Sequence, residues 1–150
     1  MKSMESRKTE FRGKRLDNGE WVYGDLIHTD SGETLIVTGW CYGFVFERFA
    51  HEVIPETVGE YTGLQVKNSV KVFEDDFIKT KFFGILRNGV NFNDFDIFQV
   101  MYSPPAFGLE NERNSGWLGH AIDRETDFEV IGNIHDNPEL LEAVNGKNSN

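Results

Sequence analysis

Short runs in which apolar and polar residues alternate follow one another along this chain, each bounded by Gly, Pro, Asn or Asp. That is the pattern of half-buried strands joined by tight turns. Asn18-Gly19 separates Phe11–Leu16 from Glu20–Ile27, and Asn-Gly is a strong hairpin signal because both residues accept positive φ. In the second run Trp21, Tyr23 and Asp25 face one way and Val22, Gly24 and Leu26 the other. Thr29-Asp30-Ser31-Gly32 reads as a turn into the β-branched run Thr34–Thr38. Gly39 and Gly43 bracket Trp40-Cys41-Tyr42, and Phe44, Phe46 and Phe49 continue a strand or an irregular edge. His51–Ile54 is short and stops at Pro55, which has no amide N–H and restricts the residue before it.

Residues 55–63 hold a Pro and two Gly and read as a junction between two β units. Beyond them come Val70–Phe73, Phe77–Leu86, a second hairpin signal at Asn88-Gly89, and Phe92–Tyr102. In that last run Asp94 and Asp96 alternate with Phe95 and Ile97, as on a half-exposed strand. Residues 103–119, with Pro104-Pro105, Gly108, Gly116 and Gly119, show no period, so a long loop is expected there, of the kind that is functional or disordered. Phe128–Ile134 is a final strand. One helix is legible: Asn137 as its cap, Pro138 at the first position, Glu139 at the positive end of the dipole, a stripe of Leu140, Leu141 and Val144, and Gly146 as its stop. The expected core draws on Trp21, Val22, Leu35, Val37, Tyr61, Leu64, Val72, Phe77, Ile78, Phe83, Ile85, Val130 and Ile134. The expected class is mainly β with a short C-terminal helix.

The length of 150 residues suits one domain or two small β units, and 39% hydrophobic against 27% charged residues is the composition of a globular chain. No apolar run approaches the ~20 residues of a transmembrane helix, no signal peptide is visible, and the single Cys41 has no partner for an intramolecular disulfide. These features point to a reducing, cytosolic compartment and away from a membrane. The net charge is −10, and it is uneven. Residues 1–15 carry six cations against two acids, a net +4, while the remainder carries nine against twenty-three, a net −14. A body that acidic repels a phosphate backbone, so nucleic acid is not the expected partner. The basic leader of Lys2, Arg7, Lys8, Arg12, Lys14 and Arg15 is the alternative route to it.

No constellation of residues specifies an enzyme. Glu74-Asp75-Asp76 reads as a solvated turn, because three consecutive strand residues cannot converge on one ion. Asn91, Asn93, Asp94 and Asp96 read as the polar face of a strand. His28, His51, His120 and His135 are scattered without metal-ligand spacing. His120 with Asp123 is the one pair that resembles a base and its orienting group, and no nucleophile in a recognised elbow accompanies it. Cys41 between Trp40 and Tyr42 reads as an inert structural thiol. No phosphate-binding glycine loop is present. The expectation is therefore no catalytic, cofactor-binding or metal residues, no cofactor, and ligand-binding residues unknown. Trp117-Leu118 and Phe107, in the expected loop, are candidates for an interface or for folding back onto the core.

Three motifs in order carry a family resemblance. Pro55-Glu56-Thr57-Val58-Gly59-Glu60-Tyr61-Thr62-Gly63-Leu64, Lys67-Asn68 and Val72-Phe73-Glu74-Asp75-Asp76-Phe77-Ile78-Lys79 make up the first. The second is Phe11-Arg12-Gly13-Lys14 with Asn18-Gly19-Glu20-Trp21-Val22-Tyr23-Gly24, and the third is Ile131-Gly132-Asn133-Ile134-His135-Asp136-Asn137-Pro138-Glu139-Leu140-Leu141. Together they resemble the YopX family of phage and prophage proteins. Ser69 and Asp75 stand where the family's pattern has turn glycines, which weakens turns that need positive φ; Asn68 and Asp75 tolerate that region better than most. The resemblance implies two β units, residues 8–58 and an SH3-like barrel with the C-terminal helix over residues 59–145. It implies no established activity. A non-enzymatic phage or prophage accessory protein is expected, acting by self-assembly as a homo-oligomer or by binding a host or phage protein, with a nucleic-acid-binding module as the alternative.

Overall fold

A computed structural model of the chain describes residues 8–39, 49–81, 95–112, 115–118 and 128–146. The Asn18-Gly19 signal produces its hairpin: β1 (Phe11–Lys14) pairs antiparallel with β2 (Trp21–His28), Arg12 opposite Tyr23 and Lys14 opposite Trp21. Gly19 takes φ 72° and the Asn18 side chain accepts the Glu20 N–H at 2.9 Å. Thr29 closes the next turn by accepting the Glu33 N–H on its hydroxyl at 3.0 Å, and β3 (Thr34–Val37) pairs back onto β2. β4 (Ala50–Glu52) follows against β3. Pro55–Thr57 then forms one 3-10 turn. The buried Thr57 hydroxyl fixes it, donating to the Ile54 carbonyl at 2.6 Å and accepting the Lys14 N–H at 2.9 Å. β5 (Gly59–Val66) leads directly out of that turn and pairs with β1, so the glycine-bearing segment read as a junction is mostly strand.

The chain divides into two compact units, residues 1–63 and 64–150, and the division falls inside β5. In the first unit the strands follow the order β4-β3-β2-β1-β5, with β6 (Val70–Phe73) next in that sheet. Its interior holds Ile36, Val37, Val53 and Tyr61. Gly24 is required by close approach, because a Cβ there would run into the Val37 carbonyl oxygen. The second unit carries a five-stranded antiparallel sheet in the order β10-β9-β8-β7-β11. These strands are β7 (Asp76–Lys81), β8 (Phe95–Ser103), β9 (Ala106–Glu110), β10 (Ser115–Trp117) and β11 (Glu129–Asn133). Its core is Val72, Ile78, Phe98, Val100, Leu109, Leu118 and Phe128, with Leu64, Val66, Phe107 and Val130 packed against them. Burying a side chain such as Ile78 or Phe98 contributes roughly 1.5–3 kcal/mol. The protein is thus mainly β, with two antiparallel sheets and a short helix, α1 (Leu140–Val144).

Several expectations change. The described part of residues 103–119 is not a long loop: Pro104-Pro105 makes the tight connection from β8 to β9, and β10 pairs with β9. Gly108 and Gly116, which hid the alternation of Phe107 and Leu109, lie where the two strands come close. On β8 the polarity is reversed, for Asp96 shares the inward face with Phe98 and Val100 while Phe95 is exposed. The Asn111 amide makes that possible by donating to Asp96 Oδ2 at 2.7 Å. Asn137 does not cap α1 through its side chain, which instead accepts from the Asn133 N–H; its backbone carbonyl takes the Leu140 N–H at 3.0 Å, and regular helix begins there. Gly146 does follow the helix in left-handed conformation, φ 62°. Among the described residues neither strand order closes on itself, so these pairings form no SH3-like barrel. Of the expected core, Val37, Tyr61, Val72, Phe77 and Ile78 are buried, while Trp21, Val22, Leu35, Leu64, Val130 and Ile134 are half-buried. Phe83, Ile85 and the Asn88-Gly89 signal lie outside the described residues.

Candidate functional site

Two features of the second unit draw functional side chains together. The first is polar. Asp75, in the turn between β6 and β7, sits at φ 69°, and its N–H donates to the Val100 carbonyl at 2.9 Å. Gln99 of β8 donates to Asp75 Oδ1 at 3.1 Å, and His135 Nε2 stands 3.6 Å from Asp75 Oδ2. His135 belongs to the turn after β11, which Asn133 organises: its side-chain oxygen accepts the N–H groups of His135 at 3.0 Å and Asp136 at 2.9 Å. Asn133 Nδ2 donates to Asp136 Oδ2 at 3.0 Å, and the Ile134 N–H donates to the Asp75 carbonyl at 3.0 Å. This network braces two turns that are remote in sequence, and the Asp75–His135 contact becomes an ion pair whenever the imidazole is protonated.

The acidic triplet is divided by this arrangement. Asp76 is buried and its Oδ2 accepts the Phe73 N–H at 2.8 Å, whereas Asp75 turns toward Gln99 and His135. Among the described residues no group of three His, Cys, Asp or Glu side chains is placed to hold a metal ion. His28 is exposed with Nδ1 3.5 Å from the Thr34 hydroxyl, and His51 is half-buried on β4. His120 and Asp123, Cys41, and Asn91, Asn93 and Asp94 lie outside the described residues. The grouping of Asp75, Gln99 and His135 had no sequence signal beyond two family motifs, because the residues are brought together by β7, β8 and β11.

The second feature is apolar. Met101 on β8 stands opposite Gly108 on β9, and Gly108 stands opposite Trp117 on β10. Directly opposed residues of an antiparallel ladder share a face, so Met101 and Trp117 lie on one side with a gap between them where Gly108 has no side chain. The neighbouring row, Val100, Leu109 and Gly116, faces the core. Trp117 is 51% exposed and Met101 41%. Of the candidate loop residues, Leu118 is buried, Phe107 packs against the core with its ring 5.2 Å from that of Tyr102, and only Trp117 is displayed. Glu110, exposed, is two residues beyond Gly108 on the same face.

The basic leader is largely tied down in the first unit. The Arg12 guanidinium lies 4.7 Å from the Trp21 ring centre and is buried, and Lys14 Nζ is 5.4 Å from the same ring. Lys8 pairs with Glu10 at 3.8 Å, and Arg15 holds Asp17 through Nε at 2.9 Å and Nη2 at 2.5 Å. That forked hydrogen bond keeps the Asp17 carboxyl below the ordinary aspartate value. Lys2 and Arg7 lie outside the described residues.

Comparison with known proteins adds a family and a fold. The family described as YopX protein matches residues 10–142, nearly the whole chain. The fold is similar to the crystal structure of protein EF1440 from Enterococcus faecalis, with a TM-score of 0.58 and 24% identity, covering 91% of this chain and 100% of that one. No curated protein matches.

Proposed function

The chain belongs to the YopX protein family, and from that premise we propose that it is a non-enzymatic accessory protein of phage or prophage, made in the bacterial cytoplasm, that works by binding another protein. The observation that carries this reading is the displayed pair Met101 and Trp117 on the outer face of β8, β9 and β10. A tryptophan left half in water on a well-paired sheet is a residue type that dominates protein interfaces. The polar network supports the same reading from the other side, since its carboxylates and amides are engaged in bracing turns. No helix among the described residues is long and apolar enough to cross a membrane. A nucleic-acid module is less well supported, because Lys8, Arg12, Lys14 and Arg15 are each engaged within the chain.

The test is capture from phage-bearing host cells with tagged wild-type protein and with the double variant Met101→Ser, Trp117→Ser. A protein retained by the wild type and lost by an equally stable variant is the expected result. Capture of nothing but nucleic acid would defeat the reading.

A further inference from the structure

We propose that the outer face of β8, β9 and β10 takes a basic, extended protein segment, with one lysine or arginine of that segment seated over the Trp117 ring and beside Glu110. This rests on the protein-binding reading and names the chemistry of the partner. Two other aromatic rings of this protein carry cations of its own. Trp21 carries both Arg12 and Lys14 over its ring, and Phe95 carries Lys79 Nζ at 5.5 Å. Among the described residues no cation stands over Trp117, although the residue is 51% exposed. Tryptophan is the strongest cation-binding ring, and the attraction grows as the contact is desolvated.

The charge around the ring points the same way. β8, β9 and β10 contain no Lys or Arg, and their acids are Asp96, held inward by Asn111, and the exposed Glu110. Glu110 lies diagonally across the ladder from Trp117, since Gly108 is opposite Trp117 and Ser115 opposite Glu110. That diagonal is about 7–8 Å, within reach of one long cationic side chain touching both. The gap at Gly108, flanked by Met101, accepts the apolar stem of such a side chain. A second copy of this chain is the poorer occupant, because two bodies of net charge −10 repel on approach.

The experiment uses two-dimensional NMR of the full chain titrated with synthetic octapeptides of alternating arginine and threonine, glutamine and threonine, or glutamate and threonine. The arginine peptide should shift the indole N–H of Trp117 and bind more tightly than the glutamine peptide, with affinity that falls as salt is raised. Trp117→Ala should weaken it about fivefold and Trp117→Phe by less, while Glu110→Gln should weaken it about two- to threefold. Equal binding of the glutamine peptide, no binding of any peptide at near-millimolar concentration, or arginine-peptide binding untouched by Trp117→Ala would each overturn the proposal. So would self-association abolished by Trp117→Ala, which would assign the face to a second copy. A cellular protein partner whose capture is indifferent to Trp117→Ala would defeat this inference alone and leave the protein-binding reading standing.

Discussion

Asn68, Ser69 and Asp75 hold left-handed backbone at φ 63°, 60° and 69°. The family pattern puts glycine at two of these positions, and the fold keeps the glycine-like conformation with side chains in place. For an ordinary residue that costs about 1–2 kcal/mol. Ser69→Gly should therefore raise stability by about 1 kcal/mol, read from the urea midpoint. Asp75→Gly relieves the same backbone but removes the contacts to Gln99 and His135, so its gain should be smaller. Equal gains would show that the Asp75 carboxylate holds nothing. The departures at Ser69 and Asp75 read as weakening turns that need positive φ, and the backbone nonetheless keeps it. The partners of Asp75 were not legible, because Gln99 and His135 reach it only through strand pairing. At Asp17 the sign of a pH effect follows from the lowered carboxyl pKa. The folded turn favours the ionised form, so the Arg15 contact is present above the unfolded-state pKa and is lost as pH falls through the depressed folded value. Carboxyl NMR should show Asp17 titrating low, and Arg15→Ala should move its midpoint upward; an unmoved midpoint would remove Arg15 as the cause.

The second-unit sheet separates residues that support the fold from residues that are displayed. Ile78, opposite both Phe98 and Val130, lies in the middle of the core row, and Ile78→Ala should cost about 2–5 kcal/mol. Trp117→Ala, three strands away on the other face, should change stability by under about 0.5 kcal/mol. Chemical denaturation of both variants checks the pair, and a large loss at Trp117 would mean that its ring is structural. Strand existence could be read from alternation, but facing could not. Period two is the same for both faces, and hydrophobicity alone placed Phe95 inward and Asp96 outward. What reverses them is Asn111, whose amide neutralises the cost of an inward carboxylate from fifteen residues away. In the same way two prolines and two glycines made β9 and β10 look like loop.

At the level of the whole molecule, net charge and sheet edges oppose each other. Among the described residues β4 and β6 end one strand order and β10 and β11 the other, and unpaired strand edges invite pairing, while a charge of −10 keeps copies apart. A homo-oligomer is therefore expected only towards near-millimolar protein and at raised salt; light scattering that finds the 17.2 kDa species alone throughout that range would exclude it. DNA should not bind at physiological ionic strength. A steep salt slope, near −0.9 per phosphate and lost on deleting residues 1–15, would reverse that expectation. The course of β5 bears on ancestry. Its residues begin in the first unit and finish in the second, so the division runs through a strand and not through a linker. Recombination at that division would leave each descendant with a truncated strand. The family match spans that division as well, running from residue 10 to 142.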